Sequence, residues 1–375
     1  MGSNLISAFQ SGNLTGWIIP FLFVLTIIVL FHELGHYVVA RFCGIRVTVF
    51  SLGFGKELFG FDDRHGTRWK ISAIPLGGYV KFFGDENEAS VPNPATLAAM
   101  TEEERRRSFP GQPVGNRAAV AAAGPIVNFI LAIVIFAGVA MAFGKTTIIP
   151  RIGGVEDSSP AAAAGFKEGD IVVSIDGARI DSFNDISRIV SLNAGVPLTV
   201  VVDRDGKEIT LQATPAEQDK RGRLGIRSSR DPGDVRTESV APLDAFRLGV
   251  DQTWLVVSST ITAIRDIFVG KQSAAVIGGP IMIAELAGKV AKLGFAPLLE
   301  FTAMLSASVG LFNLFPIPIL DGGHLLFCFV EAVQGRPLSE RALEVSFRIG
   351  LAIVSMLFIF VIGNDLVQLA HRLFS

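Results

Sequence analysis

The sequence predicts a polytopic α-helical membrane protein with four transmembrane helices, a membrane-associated β-hairpin and one exported β/α domain. Three observations lead there. Half of the 375 residues are hydrophobic and only 18% are charged, well under the quarter usual in soluble domains. Apolar runs of spanning length recur four times. Between the second and third of them the chain turns polar and β-rich. The 33 basic and 35 acidic residues leave a net charge of -2, which excludes a generic nucleic-acid binder. Two cysteines, Cys43 and Cys328, are too few for a disulfide framework or a cysteine zinc site.

The first span covers about 17–43. Its stretch Trp17 to Phe31 carries no charge, and neither does the segment 1–16 before it. Without a basic n-region a cleaved signal peptide is not expected. The loop at 44–117 carries ten Lys or Arg residues, from Arg46 to Arg117. That excess predicts a cytoplasmic loop, with the N-terminus outside. The second span, about 118–143, then returns the chain to the outside. With two further spans the C-terminus lies outside as well.

The first span ends in His32-Glu33-Leu34-Gly35-His36, an HExxH match. Residues four apart share a helix face, so two imidazoles can chelate one ion. Glu33 lies beside them, where it can take a proton from a zinc-activated water. Three such polar groups adjoining a charge-free stretch are expensive without a purpose. A packing pair of histidines is the plain alternative.

The next segment is β-rich over 46–61 and 67–83, with a turn expected at 62–66, so a hairpin is predicted over about 46–83. A helical substrate unwound in lipid exposes amides at several kcal/mol each, and an edge strand can replace the lost bonds by strand addition. Gly77, Gly78 and Ile71 are the candidate substrate contacts on this hairpin, the glycines because they allow close backbone approach. A polar cytoplasmic helix is expected over 95–107.

Residues 146–228 are charged and alternate short β-like runs with turns. Ser159-Pro160-Ala161 through Asp176-Gly177 looks like the signature of a PDZ domain, with a short helix after Ser159, a turn at Gly169-Asp170, a strand and a tight Asp-Gly turn. Such domains bind peptides by strand addition, and the edge near Ile149–Val155 is expected to carry the contact. A plain steric spacer is the alternative. Residues 229–296 are expected to form a linker and surface helices, with 243–269 an amphipathic helix on the outer face rather than a fifth span.

The third span, about 298–331, is interrupted by Pro316, Pro318 and Asp321, and the fourth covers about 346–370. Asp321 is the lone carboxylate between Glu300 and Glu331, and a lone intramembrane Asp is a functional candidate by default. His32, His36 and Asp321 each lie some 15–20 residues into their spans. At about 1.5 Å per residue they reach similar depths if the two helices run the same way. Asp321 is therefore the best candidate for a third metal ligand.

Taken together, HELGH, the run Gly124-Pro125-Ile126-Val127-Asn128-Phe129 and Asn313 to Gly323 (NLFPIPILDGG) resemble the three signatures of the site-2 protease intramembrane metalloproteases, closest to the bacterial RseP type. The resemblance covers nearly the whole chain. It implies Zn2+ held by His32, His36 and Asp321, with Glu33 as general base. It also implies that Asn313 holds substrate or stabilises the oxyanion, that Asn128 sits near the cleft and positions substrate, and that the hairpin is membrane-reentrant. The implied activity is cleavage of single-span regulatory proteins, such as anti-sigma factors, in a bacterial inner membrane. Relatives of this type often carry two tandem PDZ domains, whereas the space here fits one. The rival readings are a membrane-anchored metalloprotease acting on soluble or unfolded chains and a non-catalytic PDZ scaffold. An ion transporter is more remote, since no internal repeat supports it.

Overall fold

The computed structural model describes residues 13–85, 99–218, 221–229, 231–273 and 278–374. They divide into two compact units, one from the two ends of the chain up to Val139 and from Leu243, the other Ala140–Pro242. Among the described residues four helices are long and apolar enough to cross a membrane: Gly16–Phe42, Val114–Phe143, Phe295–Asn313 and Arg341–Gln368.

In helix α1 (Asn13–Phe42), Val24, Ile28, His32, His36 and Ala40 recur at a spacing of four. That spacing stacks them on one face, and all but His32 are fully buried there. The chain then enters β1 (Val47–Asp62) and β2 (Arg68–Phe82), which are antiparallel. Both strands fold back on themselves. Residues 68–71 pair with 49–52 on one side and 68–72 pair with 57–62 on the other, while 49–52 also pair with 78–81. The predicted hairpin is thus a four-row ribbon whose outer rows are 57–62 and 78–82. The folds fall at glycines in the left-handed region, Gly53 at φ +88° and Gly77 at φ +122°, where any side chain is strained. One face packs Ile45, Val47, Phe50, Val80 and Phe82 on Phe109 and Val120. The other leaves Leu58, Phe59, Phe61 and Ile71 at least half exposed.

Of the helix expected over 95–107, residues 95–98 lie outside the described ones. The remainder includes the short α2 (Glu102–Arg107), closed by a Thr101–Glu104 capping box. In α3 (Val114–Phe143), Ile126, Ile130 and Val134 are exposed while Ala121, Ala123, Gly124, Asn128 and Ala132 are buried. Small residues inside and large apolar ones outside is the arrangement of a helix solvated by lipid.

The second unit begins with β3 (Lys145–Ile148), β4 (Ile152–Val155) and α4 (Pro160–Ala164). Ser159 caps α4 by accepting the Ala162 amide at 3.2 Å. The strands β5 (Ile171–Ile175) and β6 (Ala178–Arg179) flank the Asp176-Gly177 turn. Helix α5 (Phe183–Leu192) precedes β7 (Leu198–Arg204) and β8 (Lys207–Ala213), and the main sheet has the order β6-β5-β7-β8. Ile152, Phe166, Val172, Ile175, Ile186, Leu198 and Leu224 form its core.

The polar end of the expected 146–228 domain forms β9 (Ala216–Gln218), β10 (Arg221–Arg223) and β11 (Ile226–Ser228), and the stretch expected to be a linker contains a further strand, β12 (Val235–Glu238). β12 pairs with β3 and β11 with β4, so this unit extends past residue 228. The pairing with β11 also occupies one edge of the strand expected to contact peptide. Such short strands have no apolar periodicity to reveal them.

Helix α6 (Pro242–Phe268) returns to the first unit with Ala245, Gly249 and Thr253 buried and Leu243, Phe246, Trp254 and Leu255 exposed. Helix α7 (Pro280–Leu293) follows, then α8 (Phe295–Asn313). The expected third span is split. α8 ends at Asn313, and a new helix, α9, runs Asp321–Gln334. Pro316 and Pro318 lack the amides a continuous helix needs. The last span is α10 (Glu340–Phe374).

α1 and α8 run the same way. Phe23 meets Phe295, ring centroids 6.3 Å apart, while nine residues further along α1 and eighteen further along α8, His32 and Asn313 line one cavity.

Candidate metal centre

His32 and His36 project from α1 towards Asp321, the first residue of α9. His32 Nε2 lies 3.2 Å from Asp321 Oδ2, His36 Nε2 lies 3.3 Å from Oδ1, and the two Nε2 atoms are 3.3 Å apart. Among the described residues this is the one group of three such side chains suited to holding an ion. The donor set fits zinc. A tetrahedron with bonds of about 2.0–2.1 Å has edges of about 3.3 Å, and two nitrogens with one carboxylate leave a fourth vertex free. His36 Nδ1 lies 2.8 Å from the Val120 carbonyl oxygen. That oxygen can only accept, so Nδ1 carries the proton and Nε2 offers a lone pair. The buried Asp321 Oδ2 has no hydrogen-bond donor among the described residues. Lone pairs facing one another at this range call for a cation between them.

Glycines bring the backbones together. A Cβ on Gly124 would strike His36 Nε2, and would come within 2.7 Å of His32 Cε1; one on Gly35 would lie 2.6 Å from the Ala123 carbonyl oxygen. On the opposite wall, a Cβ on Gly322 would collide with the carbonyls of Leu314 and Phe315. The DGG sequence therefore lets the 314–320 segment fold tightly over the start of α9 and hold Asp321 in place.

The cavity is lined by His32, Glu33, His36, Gly78, Asn313 and Asp321, together with Tyr79, Val80 and His324. Gly78, Tyr79 and Val80 line the same cavity as Glu33, so the outer row 78–82 runs directly beside the general-base candidate. A Cβ on Gly78 would lie 2.8 Å from Val29 Cγ1 and 3.1 Å from Glu33 Cγ. Gly77 makes the bend one residue earlier, where a Cβ would lie 2.6 Å from the Phe54 ring.

Two expected substrate contacts stand elsewhere. Ile71 pairs with Leu52 on one side and Phe59 on the other, which closes its backbone to a further strand. Asn128 is fully buried and lies behind His32, its Nδ2 atom 3.2 Å from His32 Nδ1. Sequence reasoning overlooked His324, one turn beyond Asp321 on the same helix face. The spacing of three in Asp-Gly-Gly-His was the signal that could have revealed it.

The Peptidase family M50 profile matches residues 20–357. The chain belongs to peptidase family M50. This M50 peptidase is 47% identical over 363 residues to a Rhizobium meliloti protein named as a zinc metalloprotease, covering 94% of this chain and 97% of that one. It is 40% identical over 380 residues to metalloprotease MmpA of Caulobacter vibrioides, covering 93% and 95%. A PDZ domain from Listeria monocytogenes aligns with 21% of this chain and 84% of its own, at 21% identity and a TM-score of 0.19, too low to define a fold. The M50 peptidase is a zinc-dependent metalloendopeptidase with four apolar helices of membrane-spanning length among its described residues.

Proposed function

We propose that this M50 peptidase is an intramembrane endopeptidase that cuts single-span membrane proteins within or beside their transmembrane helices. Membrane-bound regulators of the anti-sigma-factor kind, already trimmed outside, are the proposed substrate class. One observation carries the reading: the His32–His36–Asp321 triangle opens onto a cavity that also holds Glu33 and the strand row 78–82, on helices whose outer faces are apolar.

Each residue has a task. His32, His36 and Asp321 would hold the zinc. When bound, zinc supplies a Lewis acid that polarises the scissile carbonyl and acidifies water. Glu33 accepts a proton from the attacking water on its carboxylate and returns it to the leaving amine. Asn313 can donate its side-chain amide to the carbonyl oxygen as charge develops there. Gly78, Tyr79 and Val80 offer backbone groups to an unwound substrate, replacing helix bonds that lipid cannot satisfy.

The exposed Leu58, Phe59, Phe61 and Ile71 support a hairpin that enters the membrane surface. The basic residues of 44–117 support a cytoplasmic position for that loop, with both termini and the second unit outside, in a bacterial inner membrane. We assign residues 146–228 of that unit as a PDZ domain, with a peptide ligand or a size-filtering role.

The test uses purified full-length protein, a single-span model substrate and a zinc chelator, with the cut mapped by mass spectrometry. A chelator-sensitive cut inside or next to the spanning segment is expected. A cut confined to soluble portions favours the soluble-chain protease, and absence of stoichiometric zinc favours the scaffold. Glu33→Gln should retain zinc and lose cleavage. Wild-type cleavage by that variant refutes the base assignment.

A further inference from the structure

We infer that Asn128 is a positioning residue for the metal centre, its side-chain oxygen accepting the proton on His32 Nδ1 and thereby presenting His32 Nε2 as a lone pair. The inference rests on the reading of His32, His36 and Asp321 as the zinc-holding set.

The two imidazoles face a common carboxylate through Nε2, so both need the same tautomer. For His36 the backbone settles it, because the Val120 carbonyl can only accept from Nδ1. For His32 the partner is an amide, which can either donate or accept. With Nδ2 towards His32 Nδ1 at 3.2 Å, the imidazole proton is forced onto Nε2, where it blocks a metal. In that orientation the buried Asn128 Oδ1 also has no donor among the described residues. Rotating the amide by half a turn leaves its shape nearly unchanged, since nitrogen and oxygen are almost isosteric. Oδ1 then meets Nδ1–H, its missing donor is supplied, and His32 matches His36.

The rest of Asn128 is held independently. Ser306 Oγ on α8 donates to its backbone oxygen at 2.8 Å, and the missing side chain of Gly310 lets α8 lie against its Cβ. A residue that is fully buried and absent from the cavity wall does not touch substrate. Outer partners of this kind orient a ligating imidazole and raise its basicity.

The experiment measures zinc affinity by chelator competition on full-length protein in detergent. Asn128→Ala should weaken zinc about 10–100-fold. Asn128→Asp, which when ionised accepts but cannot donate, should restore affinity close to wild type. An unchanged Ala variant overturns the role, and an Asp variant as weak as Ala overturns the acceptor assignment. Selective 15N labelling of histidine in the zinc-loaded wild type reads the tautomer without any substitution. A proton on His32 Nδ1 supports the inference, and a proton on Nε2 overturns it. Wild-type protein that binds no zinc would instead overturn the metal-site reading itself.

Discussion

At the scale of single residues the candidate site depends on what stands behind each proposed ligand. Two histidines four apart can face the same way on any helix. Here Gly124 is what leaves room for both rings. Gly124→Ala should drive its new methyl into His36 Nε2 and His32 Cε1. The expected result is zinc affinity reduced at least tenfold with the spans still helical, checked by chelator competition and circular dichroism. Asn313→Ala belongs to the same scale with a different signature. It should lower kcat about 100-fold with zinc content unchanged, read from peptide turnover and metal analysis.

At the scale of elements, two carboxylates tie distant segments together. Asp365 of α10 is buried and accepts the amides of Gly279, Ile281 and Met282 at 2.9, 2.9 and 3.2 Å. It caps α7 from more than eighty residues away, in place of the side-chain cap that Gly279 cannot supply. Asp365→Ala should cost about 1–2 kcal/mol of stability, seen as a lower midpoint in thermal or denaturant unfolding.

Asp63 does the corresponding work in the hairpin turn. It accepts from the His65 and Thr67 amides, the Tyr37 hydroxyl and the Trp69 indole. Burial alone would raise its pKa, but these donors outweigh burial and hold it at about 2. A folded-state pKa below the unfolded value of 3.8 contributes stability that is present above about pH 4. That contribution is lost as the pH falls towards 2. Asp63→Asn should flatten this part of the acid unfolding curve, measured by tryptophan fluorescence.

At the scale of the whole molecule, the proposed orientation predicts a labelling pattern. A cysteine at Arg64 should react with an impermeant maleimide only after the membrane is opened, and one at Arg179 should react in intact spheroplasts. The reverse pattern inverts the proposed topology.

Much of this architecture was legible along the chain because its signals are local. Apolar runs marked the spanning helices, a spacing of four put His32 and His36 on one face, and Asp-Gly dipeptides marked tight turns. The depth comparison that paired Asp321 with the histidines assumed one continuous third helix; α1 and α8 do run in parallel, but α8 ends at Asn313 and the turn of 314–320, rather than helical rise, brings Asp321 to the histidines. Other features had no local signal. The strands of 216–238 are too short and polar for a period of two to stand out. The folding of β1 and β2 into a four-row ribbon depends on long-range register, which is why Ile71 looked like an edge and lies in an inner row.

Sequence by itself determined which side chains can hold a metal and that the two histidines share one helix face, since chemistry and a spacing of four are properties of the chain. Only the tertiary structure decided what stands behind those side chains: the Val120 carbonyl on His36, the buried Asn128 amide on His32 and the strand row of Gly78 beside Glu33. These contacts join residues dozens of positions apart through close backbone packing, and no local pattern encodes a distance in space.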